Sequence, residues 1–353
     1  MAAARARPAL RGGLLALLAA ALFGVSTPLV QRFGIGIGAF STAALLYAGA
    51  AAVGLLSSQR IDREARLQRA DLPRLIAMAA FGAVVGPVAL AWGLQHTSGT
   101  SASLMLTLEA LFTAVLAWRI YGETMDGRVW AALALLLAGG MLLVLDQGLN
   151  ADAGGAPLWG LLAVLLATAA WGVDNTLSRA LAERDPGQVV LAKAVLGASA
   201  TGALAWALGE ARPPALAALA LVAIGATGYG LSLRFYLLAQ RAFGAARTGS
   251  VFAFAPFIGA ALAVGLGDRS ASTMMAAGSG LMLAGVVLHL SESHGHGHAH
   301  GALEHEHAHR HDDDHHGHSH DSMPVGDHSH LHQHEPLQHT HAHVPDAHHA
   351  HRH

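Results

Sequence analysis

Four polar residues interrupt stretches of the sequence that are otherwise apolar enough for membrane helices. Glu109 lies within LTLEALFTAVLAWRIYGE, Asp174 and Asn175 follow a tryptophan in AWGVDNTLS, and Lys193 is the only lysine of the chain. An isolated charge at the centre of a membrane helix costs about 2.5–3.5 kcal/mol on insertion scales, and such residues commonly serve a substrate or proton pathway. The four residues are therefore candidates for binding a solute or a coupling proton.

Each candidate also has a purely structural interpretation. Glu109 either binds a proton or a substrate amine, so that its charge changes during a transport cycle, or it is a neutral carboxyl group held by hydrogen bonds near an interface. Lys193 either neutralises Asp174 on a neighbouring helix or extends its long stem to the membrane surface. In the functional interpretation, Glu109, Asp174, Asn175 and Lys193 line a central cavity.

The elements that must position these residues are membrane helices. The chain has 353 residues, of which 53% are hydrophobic and only 12% charged, against about 25% charged in soluble proteins. Ten apolar windows are long enough to cross about 30 Å of hydrocarbon, and only helices satisfy a lipid-facing backbone over such non-alternating runs. The windows are 12–32, 37–57, 73–94, 100–120, 127–146, 157–178, 188–209, 215–237, 247–267 and 271–290.

The arginines predict the orientation of these ten helices. With the N-terminus inside, fifteen arginines fall in inside segments and only Arg32, Arg212 and Arg269 fall in outside loops. Because cytoplasmic loops retain positive charge, this distribution predicts a cytoplasmic N-terminus. An even number of spans then places the C-terminus in the cytoplasm as well, and we expect the chain in an inner (plasma) membrane.

The two halves of the apolar region repeat each other. Phe23-Gly24-Val25 aligns with Trp171-Gly172-Val173 at an offset of 148, and Gly122-Glu123 aligns with Gly267-Asp268 at an offset of 145. A unit with an odd number of helices inserts upside down in its second copy. Inverted repeats of this kind are typical of secondary transporters, whose substrate site lies near the midplane between the repeats.

These features resemble the EamA-type branch of the drug/metabolite transporter superfamily. The resemblance rests on the helix count, the repeat, and two fourth helices that end in a Gly-acid pair, at 106–123 and 252–268. It implies export of a small solute, coupled to protons. The chain departs from the family pattern where Ala110 and Leu111 replace the fourth-helix proline that Pro256 supplies in the second half, and where Asp268 replaces a glutamate.

The predicted fold class is an all-α polytopic membrane protein with ten transmembrane helices in two inverted five-helix repeats, followed by a disordered tail. The expected organisation is a basic cytoplasmic N-terminus (1–11), a first repeat (12–146), a linker (147–156), a second repeat (157–291) and a His-rich tail (292–353).

The tail carries a separate chemistry. It holds 23 of the 25 histidines, and the chain has no cysteine, so a transition metal would be bound by imidazole and carboxylate. The tail has few apolar residues to bury, which predicts disorder in the absence of metal. We expect zinc, nickel or cobalt on this tail, with no cofactor required elsewhere. The candidate ligands are His294, His296, His298, His300, His305, His307, His309, His311, His315, His316, His318, His320, His339, His341, His343, His348 and His349.

The leading hypothesis is a proton-coupled secondary exporter of a small polar metabolite with a cytoplasmic metal-binding tail. One alternative is an exporter of nickel, cobalt or zinc, and another is a membrane-anchored metal store that transports nothing. The sequence shows no nucleophile-base constellation and no phosphate-binding loop, so we do not expect an enzyme. The expected partners are the lipid bilayer, a small-molecule substrate and divalent metal ions. A homodimer stays open, and the net charge of -2 gives no support to nucleic-acid binding.

Overall fold

The fold was obtained as a computed structural model of the full chain. The residues that it describes are 2–57, 65–122, 125, 127–149, 156–181, 184–243, 245–268 and 272–290, and in the tail 294–300, 303–309, 328–334 and 337–343. The predicted tail ligands His311, His315, His316, His318, His320, His348 and His349 lie outside these ranges, as do Glu123 and most of the linker.

The described spans of the membrane part are helical, which confirms the predicted fold class. Eight helices are long and apolar enough to cross a membrane, and two shorter apolar helices follow them. We number the ten spans in chain order. Spans 1 and 2 are Ala2–Gly34 and Ala39–Ser57; span 3 is Leu72–Met78, Ala79–Val85 and Gly86–Leu94; span 4 is Gly99–Met105, Leu106–Leu108 and Glu109–Tyr121; span 5 is Gly127–Leu149. Span 6 is Ala156–Ser178; span 7 is Pro186–Ala207; span 8 is Ala215–Ile224, Gly225–Leu231 and Ser232–Phe243; span 9 is Ala245–Phe252 and Ala255–Gly265; span 10 is Thr273–Leu290. Short 3-10 helices, Arg69–Asp71 and Arg179–Leu181, lie before span 3 and after span 6.

Spans 3 and 8 contain matching π-helical segments. These are Ala79–Val85 and Gly225–Leu231, which lie 146 residues apart. π-helical turns are rare, and they are frequently found at functional sites. The same irregularity in both copies of the repeat shows that the two halves share more than their helix count.

Spans 4 and 9 are both interrupted near their middle. Span 4 passes through a 3-10 turn at Leu106–Leu108, and span 9 breaks between Phe252 and Ala255. Pro256 lies in the first turn of the helix after the second break, where a missing N–H costs nothing. The first break forms without a proline, because Ala110 and Leu111 occupy the positions that correspond to Pro256 and its neighbour.

One face of the bundle, which we call the Gly34 face after the end of span 1, is closed by side chains that bind backbone groups. Gln31 Nε2 donates to the carbonyls of Leu94, at 3.0 Å, and Thr97, at 2.9 Å. Asp268 Oδ2 accepts from both the backbone N–H and the hydroxyl of Thr100, each at 2.8 Å. Carboxylates at helix N-termini of this kind satisfy donors that have no partner within the helix.

At the opposite face, which we call the Arg11 face, connections of the two repeats contact each other. Arg184 forms an ion pair with the buried Asp71 at 2.9 Å. The N–H of Asp185 donates to the carbonyl of Ala65 at 2.8 Å. This connects the segment between spans 2 and 3 to the segment between spans 6 and 7.

The described parts of the tail form strands β1–β4 at His294–His300, Leu303–His309, His328–His334 and Leu337–His343. Strand β1 pairs antiparallel with β4, and β2 pairs antiparallel with β3. In these strands histidine alternates with other residues, and a period of two is the pattern of a strand.

Candidate functional site

The centre of the candidate site is an ion pair between spans 6 and 7. Lys193 Nζ donates to Asp174 Oδ2, and the two residues are only 4% and 5% exposed. Of the two interpretations of Lys193, the structure therefore shows the pair with Asp174, because a side chain that reached the membrane surface would be exposed. The second carboxylate oxygen, Asp174 Oδ1, is buried and has no hydrogen-bond partner among the described residues.

Gly82, in the π-helical segment of span 3, lies directly against this pair. A Cβ built on Gly82 would overlap the carboxylate of Asp174. The carbonyl of Gly82 accepts hydrogen bonds from the Tyr47 hydroxyl and, at 3.0 Å, from Trp171 Nε1. Pro87, five residues after Gly82, has no N–H to donate to this carbonyl in the π-helical pattern, which leaves it available to side chains. The π segment therefore ties spans 2 and 6 together beside Asp174.

Glu109 lies next to the ion pair, at the start of the helix that follows the break in span 4. Its carboxylate accepts a hydrogen bond from Asn175 Nδ2 on span 6. The charges of Asp174 and Lys193 both act on Glu109, so the three ionisable groups form one electrostatic cluster. Among the residues whose side chains are described, no lysine or arginine forms an ion pair with Glu109.

An aromatic wall borders this cluster on the side of spans 1, 8 and 9. Tyr236 lies close enough to Glu109 for their groups to interact electrostatically. The Tyr236 and Phe252 rings meet edge to face at 5.0 Å, and Phe23 lies 5.4 Å from Phe252 and 5.7 Å from Trp171. We use "aromatic wall" below for Phe23, Tyr236 and Phe252.

The other half of the repeat contains an uncharged counterpart of the contact between Gly82 and Asp174, between spans 8 and 1. Gly228, in the π-helical segment of span 8, corresponds to Gly82, and a Cβ on Gly228 would overlap Ser26. Ser26 is the repeat counterpart of Asp174, at the offset of 148. Phe254 corresponds to Glu109 at the offset of 145. The contact between glycine and its partner is therefore conserved between the halves, whereas the charge is not.

Spans 4 and 9 pack together on one side of their breaks only. Towards the Gly34 face, Gly99–Met105 packs against Ala255–Gly265, and all seven residues of Gly99–Met105 are buried. Towards the Arg11 face, the counterpart helices Glu109–Tyr121 and Ala245–Phe252 do not pack closely, and Glu109–Tyr121 has no buried residue. Glu109 lies at the point where the two spans separate.

The structure brings together all four predicted site residues, in the order Glu109, Asn175, Asp174 and Lys193. In the sequence, Gly82 and Gly86 have the GxxxG spacing that favours close helix packing, and Tyr47, Trp92, Trp171, Tyr229 and Tyr236 fit either a substrate pathway or a membrane interface. All of these aromatic residues except Trp92 belong to the interior cluster around Phe23 or Gly82. Trp92 instead lies 41% exposed and stacks on His96 at 4.0 Å.

No group of three or more metal-binding side chains occurs within the described part of the chain. The strands of the tail are described by their backbone alone. Their register sets histidine opposite histidine at three positions in each ladder. The pairs are His294–His343, His296–His341 and His298–His339, and His305–His332, His307–His330 and His309–His328.

Two inverted helical repeats with a charged cluster between them define a polytopic membrane transporter as the class of protein. The sequence pattern of the EamA-like transporter family matches residues 10–145 and again residues 158–291, so the chain belongs to that family.

Two known proteins are similar to the chain. An uncharacterized transporter of Methanothermobacter thermautotrophicus is 26% identical over 230 residues, which are 64% of this chain and 67% of the relative. A protein of known crystal structure is 20% identical and has a TM-score of 0.54 over 80% of this chain and 95% of its own. The second similarity concerns the fold.

Proposed function

We propose that the chain is a proton-coupled exporter of a small polar metabolite that works by alternating access. The observation that carries this proposal is the buried ion pair of Asp174 and Lys193 together with the neighbouring, half-buried Glu109 and Asn175, at the interface of the repeats. Charges in the interior of a membrane protein are expensive, and those that persist mark substrate and proton pathways.

The charge of the cluster supports coupling to a proton. With Asp174, Glu109 and Lys193 all ionised, the cluster carries one net negative charge. An uncompensated charge in a low-dielectric interior is costly, so it recruits either a proton or a cationic ligand. Because Asp174 already has Lys193 as its partner, Glu109 is the residue on which protonation changes during the cycle.

The distribution of arginine supports an orientation for this cycle. Fifteen arginines belong to the segments at the Arg11 face and three to those at the Gly34 face, which favours a cytoplasmic Arg11 face in the plasma membrane. In this orientation, the side on which Glu109–Tyr121 and Ala245–Phe252 stand apart faces the cytoplasm. Solute would then enter from the cytoplasm, as an exporter requires.

The tail would act as a cytoplasmic binding segment for zinc, nickel or cobalt. The register of histidine opposite histidine in both ladders supports this role, since cross-strand residues are close neighbours. Neutral imidazole is the ligand. Metal retention by the purified chain should therefore fall as the pH is lowered through about 6.5. A chain that holds metal equally at pH 7.5 and pH 5 would contradict this role.

The test compares cells that express the full chain, the chain truncated after Glu292, and the Glu109→Gln variant. Solutes in cells and medium are compared by mass spectrometry, and cellular zinc, nickel and cobalt by elemental analysis. We expect Glu109→Gln to abolish export of at least one solute, and truncation to leave that export intact. The Asp146→Asn variant, which changes a buried carboxylate that accepts from Ser272 at 2.8 Å, is the matched control.

The other outcomes identify the alternatives. If truncation or Glu109→Gln raises cellular metal and no other solute changes, the chain is a metal exporter. If neither variant changes any flux while the full chain still retains metal, the chain is a metal store and transport is excluded.

A further inference from the structure

We infer that the site binds an organic cation, namely a primary amine with an apolar or aromatic body, between Glu109 and the aromatic wall. This inference rests on the proposed transport function and specifies its substrate class. It follows from three properties of the site, which are its charge, its unpartnered polar atoms and its rings.

The charge of the site selects against anions. Lys193 is the only cationic side chain in the cluster, and it is already paired with Asp174. An anionic solute would have to break this pair and leave Asp174 buried without a counter-charge. Breaking a buried pair in this way is strongly unfavourable. Glu109, by contrast, is hydrogen-bonded to the neutral Asn175, so a cationic ligand could supply its counter-charge.

The unpartnered polar atoms near Glu109 favour a ligand that donates hydrogen bonds. Asp174 Oδ1 and the hydroxyl of Thr113 on span 4 have no hydrogen-bond partner within the described residues. Thr113 follows Glu109 by four residues and so shares its helix face. A primary ammonium group offers three donors and no acceptor. A primary ammonium group therefore suits Glu109, whose neighbouring oxygen atoms include acceptors without a hydrogen-bond partner.

The rings of the aromatic wall favour a cation with an apolar body. Tyr236 is within electrostatic range of Glu109, its ring meets that of Phe252 at 5.0 Å, and Phe252 lies 5.4 Å from Phe23. A cation near the face of an aromatic ring is attracted to it, most strongly where water is excluded. The apolar part of the ligand would lie along Phe252 and Phe23, while its ammonium group meets Glu109.

Binding and proton release would then be linked at one residue. A protonated Glu109 gives up its proton when the ammonium group arrives, so that the charge of the site does not change. The stoichiometry is one proton released for each cation bound. The inference thus joins substrate selection and proton coupling in a single carboxylate.

The test uses three probes that share a phenyl ring, with the purified full chain in lipid nanodiscs. Phenethylamine is a primary ammonium, phenyltrimethylammonium is a cation without N–H donors, and phenylacetate is an anion. Equilibrium dialysis measures binding, and a pH indicator in weakly buffered solution measures proton release. We expect phenethylamine to bind with release of one proton, phenyltrimethylammonium to bind more weakly, and phenylacetate not to bind.

Two variants and a control locate the site. Glu109→Gln should weaken phenethylamine binding at least tenfold and abolish proton release. Phe252→Leu should weaken it by roughly 2- to 30-fold, the range expected for a cation–aromatic contact, and leave proton release per bound cation unchanged. Asp146→Asn should change neither quantity.

The possible failures distinguish the substrate class from the proposed function. If phenylacetate binds, or if no probe binds while cells still show Glu109-dependent export, the cation inference is wrong and the transporter stands. If phenethylamine binds as expected but Glu109→Gln changes no flux in cells, the binding site stands and the export function is wrong. If phenethylamine binds equally to Glu109→Gln, the inference fails.

Discussion

The two π-helical segments of the molecule have the same backbone and different chemistry. In span 3, Gly82 lies against Asp174, which is paired with Lys193. In span 8, Gly228 lies against Ser26, a neutral residue at the repeat position of Asp174. The counterpart of Lys193 on span 2 falls within Leu45, Leu46 and Tyr47, none of which is charged. We call these two regions the charged side and the neutral side.

This difference separates what makes the fold from what makes the site. The glycines, the π segments and the breaks in spans 4 and 9 occur on both sides, so they belong to the architecture of the repeat. The charges occur on one side only, so they are not needed for that architecture. In the proposed transporter, a solute would therefore meet one charged side instead of two symmetric ones.

The largest expected effect comes from breaking the ion pair of the charged side. Lys193→Met leaves Asp174 buried without a counter-charge, which should destabilise the protein by about 3–5 kcal/mol. Thermal unfolding in detergent measures the loss. The double variant Asp174→Asn with Lys193→Met has no unpaired charge and should recover most of it. Equal stability of the single and double variants would show that the pair carries no such energy.

The neutral side should reject a charge that has no partner. Ser26→Asp places a carboxylate against Gly228 with no lysine at the counterpart position, which should cost about 2.5–3.5 kcal/mol. Ser26→Ala is the matched control, and it should unfold close to the wild-type temperature. The distinction between the two sides would be lost if Ser26→Asp were as stable as Ser26→Ala.

Alanine substitutions at Gly82 and Gly228 should differ in whether a second substitution restores stability. Gly228→Ala and Gly82→Ala each insert a Cβ into occupied space, at a cost of about 1–3 kcal/mol. Adding Ser26→Gly should rescue Gly228→Ala, because it removes the overlapping atom. Adding Asp174→Gly should not rescue Gly82→Ala, because Lys193 is left unpaired. Unfolding temperatures of the four variants decide this, and rescue on both sides would contradict it.

The smallest effect is expected at the carbonyl of Gly82. Tyr47→Phe removes one of its two donors while Trp171 remains, so the loss should be about 0.5–1.5 kcal/mol. Tyr121→Phe removes a hydrogen bond to the Thr176 carbonyl at a residue that is 39% exposed, and it should cost less. A larger loss at Tyr121 than at Tyr47 would argue against a structural role for the freed carbonyl.

Much of this arrangement could be predicted from the sequence, because isolated charges in apolar runs are local signals. Glu109, Asp174, Asn175 and Lys193 were recognisable as candidates for this reason, and the constant offsets revealed the repeat. Apolar composition also placed the ten spans.

The remaining features depend on how helices pack against one another. Pro87 lies just after the π segment around Gly82, but a lone proline does not predict a π-helical turn. The break before Glu109 has no proline to signal it. The position of Tyr236 beside Glu109 depends on the register between spans 4 and 8, which no local pattern encodes. Gly82 and Gly86 looked like a packing motif because the sequence does not reveal that the partner of Gly82 is a carboxylate and that of Gly86 is Trp171.

The central claim is that Glu109 exchanges a proton while Asp174 remains ionised with Lys193. Dicyclohexylcarbodiimide tests it directly, because this apolar reagent modifies protonated carboxyl groups in membrane interiors. After treatment of the purified full chain near neutral pH, peptide mass spectrometry should find the adduct on Glu109 and not on Asp174. Phenethylamine should reduce the labelling of Glu109. An adduct on Asp174 together with an unmodified Glu109 would contradict the account.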